Sequence, residues 1–210
     1  MSKRFPKVAR VPVYTPPMAQ PLPRDFGAPL TLHEWADDDS LAGEFDRGRR
    51  TDEEVATQIH EEIVSWLMFF FQTWLKDTAG RVRGSETKFA VSPDKGRKPD
   101  VSVFLAGTVP SRLAKVVTTP PFIAVEVLSS GPADQIRDRI DKLFEYAAFG
   151  VRYYWLVDPD LRAITIYELG GDGRYVVAFA ASAGQHPVPG CEGLVLDLDA
   201  LWARVDSLPE

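Results

Sequence analysis

With 210 residues, 45% of them hydrophobic and 26% charged, the chain has the make-up of one ordinary globular domain with a sizeable core, which excludes collagen-like and wholly disordered classes. A single cysteine, Cys191, excludes an intrachain disulfide framework and a cysteine-based zinc site. The formal charge of −6 argues against a surface that clings to nucleic acid over its whole extent.

Residues 1–29 hold seven of the 17 prolines, and proline fixes φ and removes a backbone donor, so an extended arm is expected there. Up to Arg24 this arm carries five basic residues (Lys3, Arg4, Lys7, Arg10, Arg24) and no acidic one, which leaves 19 basic against 30 acidic residues in the rest of the chain. A basic arm on an acidic body suits contact with a nucleic-acid backbone, and equally a loose end or an oligomer clasp. No apolar run follows its basic residues, so it does not read as a secretory leader. Residues 30–210 are expected to form one domain.

Thr31 to Leu41 has the form of a short helix, with Thr31 as N-cap and Glu34 completing a capping box. A long helix is expected after Thr51, with Asp52, Glu53 and Glu54 in its first turn and an end before Gly80. Ile59, Ile63, Trp66, Leu67, Phe70 and Trp74 recur at helical spacing as its core face. Its apolar stretch, Val64 to Leu75, is interrupted by Ser65, Gln72 and Thr73 and falls short of the roughly 20 residues that span a bilayer. A cytoplasmic protein with no membrane partner is therefore expected.

Strands are expected over Glu86–Ser92, Val101–Ala106 and Phe122–Leu128, the last almost wholly apolar and so buried on both faces. A second helix, Ala133–Phe149, stops at Gly150. Strands over Arg152–Val157, Ala163–Leu169 and Tyr175–Ala180 follow, and a short helix near Leu198–Val205 closes the chain. This order gives an α/β fold, a mixed sheet flanked by helices rather than a Rossmann alternation.

Several chemistries lack a motif. Gly170, Gly171 and Gly173 occupy a strand-to-strand turn, not a phosphate-binding strand-to-helix junction. His33, His60 and His186 form no HExxH pair, and no GxSxG elbow is present. What stands out is acid at strand positions: Asp100 opens an apolar strand and Glu126 lies inside FIAVEVL. A buried lone carboxylate costs several kcal/mol unless it is paired or binds a cation. Two of them on neighbouring strands suit a shared divalent metal; pairing of Glu126 with an arginine and a turn-capping Asp100 are the plain alternative. On the second helix Asp134, Asp138, Lys142 and Tyr146 lie four apart. Ile136, Ile140, Leu143 and Ala147 form its apolar stripe, which sets Lys142 roughly 130° from the core side, where Asp138–Lys142 reads as a solvated i,i+4 pair.

The motifs KPDVSVF, PPFIAVEVLSS, the Asp138–Lys142–Tyr146 line ending in Gly150-Val151, and YYWLVDP, in this order, resemble the Uma-two endonuclease family of the PD-(D/E)XK, restriction-endonuclease-like superfamily. Upstream, LTLHEWADDDSLAGEFDRGRR is similar to the family's first helix and short hairpin, with Glu44 and Gly48 in matching places, and QIHEEIVSWL to its long helix with His60. The resemblance covers about residues 30 to 167. It implies a restriction-endonuclease-like mixed sheet and DNA hydrolysis with Mg²⁺ or Mn²⁺. Asp100, Glu126 and the Val127 carbonyl would hold the metal. The motif lysine falls at Leu128 here, so Lys142 inherits its role, positioned by Asp138 and Tyr146, with His60 either facing the same cleft or packed as a structural histidine, and Glu62 a weaker candidate. Arg97, Lys98, Arg137 and Arg139 are the expected phosphate contacts, Tyr153, Tyr154 and Trp155 core and dimer-face residues, and a homodimer the expected assembly. The alternative is a catalytically inactive nuclease-fold module that binds nucleic acid or serves as a scaffold.

Overall fold

The computed structural model describes residues 29–38, 43–51, 56–129 and 136–209, so all of the proline-rich arm but Pro29 lies outside the described residues. Helix α1 (Leu32–Asp37) begins as expected. The Thr31 hydroxyl accepts the Glu34 N–H at 3.2 Å, and the Glu34 carboxylate accepts the Thr31 N–H at 2.7 Å, a closed capping box. Leu41, the expected helix end, lies outside the described residues, and Asp38 already caps α1. The chain then makes a hairpin, β1 (Glu44–Asp46) and β2 (Arg49–Thr51), turning at Arg47 and Gly48, both with positive φ.

The long helix α2 (Gln58–Leu75) starts later than expected. Thr57, not Thr51, caps it, and its hydroxyl accepts the His60 N–H; Thr51 ends β2, and Asp52, Glu53 and Glu54 lie outside the described residues. Its buried face is Ile63, Val64, Leu67, Phe71 and Leu75. Trp66, Phe70 and Trp74 pack only at the border, and Ile59 is exposed. The expected stripe is thus rotated by about one residue, because α2 lies flat on a sheet that takes a broad apolar band. No helix among the described residues is long and apolar enough to cross a membrane.

The remaining strands are β3 (Arg81–Gly84), β4 (Phe89–Ser92), β5 (Lys95–Arg97), β6 (Val101–Phe104), β7 (Ile123–Val127), β8 (Tyr153–Asp158), β9 (Ala163–Leu169), β10 (Tyr175–Ala181), β11 (Gln185–Pro187) and β12 (Val195–Asp197). A six-stranded sheet of order β10-β9-β8-β7-β6-β3 forms the centre. Its one parallel pair is β7–β8. A parallel neighbour needs a crossover, and the second helix supplies it. The strands β6, β7 and β8 are buried at every position, as strands covered on both faces must be. On one face α2 packs together with the closing helix α4 (Leu198–Asp206), through Leu198, Leu201 and Trp202. On the other lie Phe89, Phe104, Tyr146, Tyr154 and Leu156. Tyr153, Tyr154 and Trp155 are all buried within the chain, so none is available to a dimer face.

The second helix departs most from its pattern. A π-helical turn, Arg137–Asp141, runs into α3 (Lys142–Phe149), and the Lys142 N–H reaches the Arg137 carbonyl five residues back. Gly150, at φ 96°, ends the helix where expected. The apolar stripe does not face inwards: Ile136 and Ile140 are 57% and 51% exposed, whereas Asp138, Lys142 and Tyr146 are buried. Two causes act together. The wider π turn shifts the register of the first turn against a 3.6-residue period, and charged partners outside the helix compensate the buried polar line.

A second sheet, β2-β1-β5-β4, braces this helix from the side. It is clamped to α1 at Gly96, where a Cβ would lie 2.4 Å from the Trp35 ring. Trp35 itself is fully buried and donates its indole N–H to the Gly43 carbonyl at 3.0 Å. Substituting Gly96→Ala is therefore expected to overpack this contact and lower stability by about 1–3 kcal/mol, read as a lowered urea midpoint with an unchanged slope.

Candidate active site

Two neighbouring strands set the first pair of carboxylates. In the antiparallel β6–β7 register Val101 faces Val125, which puts Asp100, one residue before β6, beside Glu126 near the end of β7. Asp100 Oδ2 accepts the Val127 N–H at 2.7 Å and lies 3.3 Å from His60 Nε2, on the first turn of α2. Glu126 Oε1 accepts the Tyr146 hydroxyl at 2.7 Å.

Between the strands and the crossover helix sits the Lys142 ammonium. Its Nζ is 2.9 Å from Glu126 Oε1, 2.9 Å from Asp138 Oδ1 and 3.0 Å from Glu44 Oε1. The side chains of Lys142 and Glu126 are each 4% exposed and that of Glu44 3%, so this is a buried cluster rather than a surface ion pair. Glu44 comes from the β1–β2 hairpin and also accepts the Lys98 N–H at 3.1 Å. Its other oxygen, Oε2, is buried and has no hydrogen-bond partner among the described residues, with Arg137 Nε 3.6 Å away and Arg97 Nε 3.8 Å away. The Tyr154 hydroxyl donates to the Asp138 carbonyl and steadies the start of the helix.

Charge bookkeeping explains the titration behaviour. Burial works against the Lys142 ammonium, but Glu126, Glu44 and Asp138 outweigh it and hold its pKa well above the ordinary lysine value. Three carboxylates share that one ammonium. Glu126 is accordingly pushed well above its ordinary range, by burial first; Lys142 opposes the shift, and Asp138, Asp100 and Glu44 reinforce it. Asp138 moves upward for the same leading reason. His60 is raised: burial lowers it, and contact with Asp100, then Glu61, more than compensates.

These groups line a cavity of about 460 Å³ that opens between α2, the Ser85–Glu86 turn and Pro159-Asp160. Among the described residues, Glu44, Glu61, Glu86, Asp100, Glu126, Asp138 and Asp160 line it against Lys98, Arg137 and Lys142. Such an excess of hard oxygen donors suits a divalent ion of the magnesium class. No group of three or more His, Cys, Asp or Glu among the described residues is poised to chelate an ion by itself. Two carboxylates plus retained waters are what Mg²⁺ ordinarily accepts, so Asp100, Glu126 and the Val127 carbonyl fit it as donors.

Of the expected site residues, the structure brings together Asp100, Glu126, Val127, Lys142, Asp138, Tyr146 and His60 around this cavity and its buried rim. The expectation that Lys142 and Asp138 form a solvated surface pair is overturned, for the reasons given with the helix. Arg97 is not placed for phosphate: it is 1% exposed, and its guanidinium is held by Glu145 (2.7 and 2.9 Å) and by the carbonyls of Phe45 and Gly96. Lys98 lies in the cavity wall with its Nζ 3.3 Å from Glu86, and Arg137 lines the same wall. Arg139 pairs with Asp158 and is partly exposed. Glu62 pairs with Arg204, outside the cavity. The residue that sequence reasoning left without a role is Glu44. The only signal for it is its place in the hairpin resemblance, because its partners are distant along the chain.

A family model described as "Uma2: Putative restriction endonuclease" matches residues 30–199. Among solved structures, the chain is similar to the "putative nuclease belonging to DUF820 from Anabaena variabilis ATCC 29413". The TM-score is 0.68 and the identity 22%, covering 84% of this chain and 99% of that one. At that identity the likeness concerns the fold, the restriction-nuclease-like mixed sheet flanked by helices. A comparison with curated proteins found no match.

Two stability outcomes follow from the charges. Lys142→Met leaves three buried carboxylates without their cation and is expected to cost about 3–5 kcal/mol at neutral pH; adding Glu126→Gln recovers part of the loss, both read by urea denaturation in EDTA. Glu145 behaves in the opposite sense. Burial raises it, but Arg97 and Lys95 prevail and hold it below its ordinary range. A depressed folded-state value stabilises above the unfolded value, about 4.3, and that contribution is lost as pH falls through the lower folded value. Glu145→Gln is thus expected to cost about 2–4 kcal/mol at pH 7, with the gap to the native chain narrowing below about pH 4.

Proposed function

The chain belongs to the Uma2 family, whose description is that of a restriction endonuclease, and from that premise we propose that it is a metal-dependent endonuclease hydrolysing DNA phosphodiester bonds. The observation that carries the reading is the convergence of Asp100, Glu126 and a fully buried Lys142 on one acidic cavity. A lysine buried among three carboxylates is costly to desolvate, and such clusters beside a cavity gather at functional sites as well as bracing the fold.

In this reading Asp100, Glu126 and the Val127 carbonyl hold a magnesium or manganese ion, which when bound supplies neutralisation of phosphate charge and a more acidic water. The chain's own groups do the rest. The Val127 N–H fixes the orientation of Asp100, and the Tyr146 hydroxyl fixes that of Glu126. Lys142, held by Asp138 and Glu44, places a fixed positive charge at the cavity floor, where charge develops on the phosphoryl oxygens. His60 on α2 approaches the same Asp100 oxygen, Oδ2, and helps to hold it. Arg137 in the cavity wall, and Arg139, which pairs with Asp158, are the cations offered to the approaching backbone.

The test is cleavage of DNA and RNA substrates with Mg²⁺, with Mn²⁺ and with EDTA. The native chain is expected to cleave DNA only with metal, and Asp100→Asn and Glu126→Gln each to lower the rate by about 10²-fold or more. Cleavage that is absent with both metals, or indifferent to both substitutions, overturns the proposal and leaves a non-catalytic module.

A further inference from the structure

The acidic cavity described above is a poor place to gain affinity for a polyanion, and the molecule's overall charge is negative. Affinity must then come from a local surface of the opposite sign. One such surface adjoins the cavity. The turn that follows β3 passes between two depressions, and Glu86 lines both of them. On its far side is a cleft of about 210 Å³ whose charged lining, among the described residues, is Arg83, Lys88, Arg112 and Lys115, with Glu86 the one acid.

Its chemistry differs from that of an ordinary charged face. Lys88 is buried, and its ammonium is held by two backbone carbonyls, Trp35 O at 2.8 Å and Asp38 O at 2.9 Å, whose dipoles orient its charge without cancelling it. Arg83 is exposed and donates one N–H to the Val82 carbonyl. Arg112 is exposed on a loop that lines the same cleft as Arg83. Lys115 lies 3.4 Å from Asp37 but its side chain is 63% exposed, and exposed pairs of that kind are readily exchanged for another anion. Ser111 and Thr87 add hydroxyl donors to the same lining. Guanidinium forks, an ammonium and hydroxyls around one groove are the donor set that grips phosphate oxygens.

We propose that the cleft of Arg83, Arg112 and Lys115 binds the sugar-phosphate backbone of the nucleic-acid substrate to one side of the phosphodiester that enters the acidic cavity. This rests on the nuclease reading for its substrate, and it divides the work: the cleft supplies affinity, the cavity supplies chemistry. Because the contacts are to phosphate, binding there is salt-dependent and carries no sequence preference.

The experiment is anisotropy titration of a fluorescein-labelled 30-base-pair DNA duplex at several salt concentrations, in EDTA so that cleavage does not enter. A triple variant, Arg83→Ala with Arg112→Ala and Lys115→Ala, is compared with a charge-matched control, Arg152→Ala with Arg174→Ala and Arg204→Ala. The cleft variant is expected to bind more than about tenfold more weakly at low salt, and its log–log salt slope to flatten by about two to three, while the control keeps the native slope. Equal binding by the cleft variant and the native chain, equal weakening in both variants, or no duplex binding by the native chain each overturns the proposal. Cleavage is scored separately. A native chain that shows the expected slopes but never cleaves keeps the cleft and loses the nuclease reading; one that cleaves with unchanged slopes does the reverse.

Discussion

The Lys142 ammonium, buried among Glu44, Asp138 and Glu126, is the interaction on which the arrangement of the molecule depends. Removing a lysine and three carboxylates from water is costly, and only close, multiple contacts compensate for it. Those contacts come from three separate parts of the fold: the β1–β2 hairpin, the central sheet and the crossover helix. One charge therefore ties them into a single geometry. It also accounts for the small second sheet, whose strand β1 carries Glu44. That sheet is pinned to the same helix a second time, where Glu145 takes Lys95 and Arg97. The Tyr146 and Tyr154 hydroxyls complete the polar seam, each bonded to a site residue.

The location of the cluster follows from topology. Strands β7 and β8 are the parallel pair, and the chain between them passes through the π turn and α3. At the carboxyl end of a parallel strand the chain leaves the sheet, opening a crevice where ligands gather in α/β folds. Glu126 and Val127 sit at that end of β7, and the helix that must return the chain presents its inner face to the same crevice. A π turn at the start of this helix sets Asp138 and Lys142 on one buried line, the kind of local irregularity that function rather than packing tends to retain.

How much of this was legible from the sequence depends on where the compensating partner lies. Asp100 and Glu126 stood out because each interrupts an apolar strand, and an acid in such a place demands an explanation from its neighbours. Their adjacency follows from pairing two consecutive strands. Lys142 is different. Periodicity turned it to solvent and turned Ile136 and Ile140 inwards, the opposite of what the fold does, because a helix pattern weighs burial by hydrophobicity and cannot count carboxylates arriving from a distant hairpin. Glu44 was opaque for the same reason. Arg97 failed in the other direction: an arginine beside site residues reads as a phosphate contact until its full set of protein acceptors is seen. The short strands β3, β5, β11 and β12, three or four residues each, lack the length for alternation to register, whereas Thr31 with Glu34 and Gly150 mark helix ends through chemistry local enough to read.

Under the proposed function, the net charge of −6 divides into two electrostatic tasks kept apart. A site that must collect a hard cation needs unneutralised carboxylates, and the cavity has them in excess over lysine and arginine. The same excess repels a phosphate, so in the proposed reading most of the attraction for a polyanion comes from groups outside the cavity. Burying Lys142 under three carboxylates settles the conflict at close range: the charge remains, but its reach into solvent is cancelled by its neighbours, so it acts only on what enters the cavity. Long-range attraction is then left to side chains that remain open to solvent and far enough from the acids to keep their field. In the proposed reading, a negative total is then no obstacle to a phosphodiester substrate, because the charge is divided in this way.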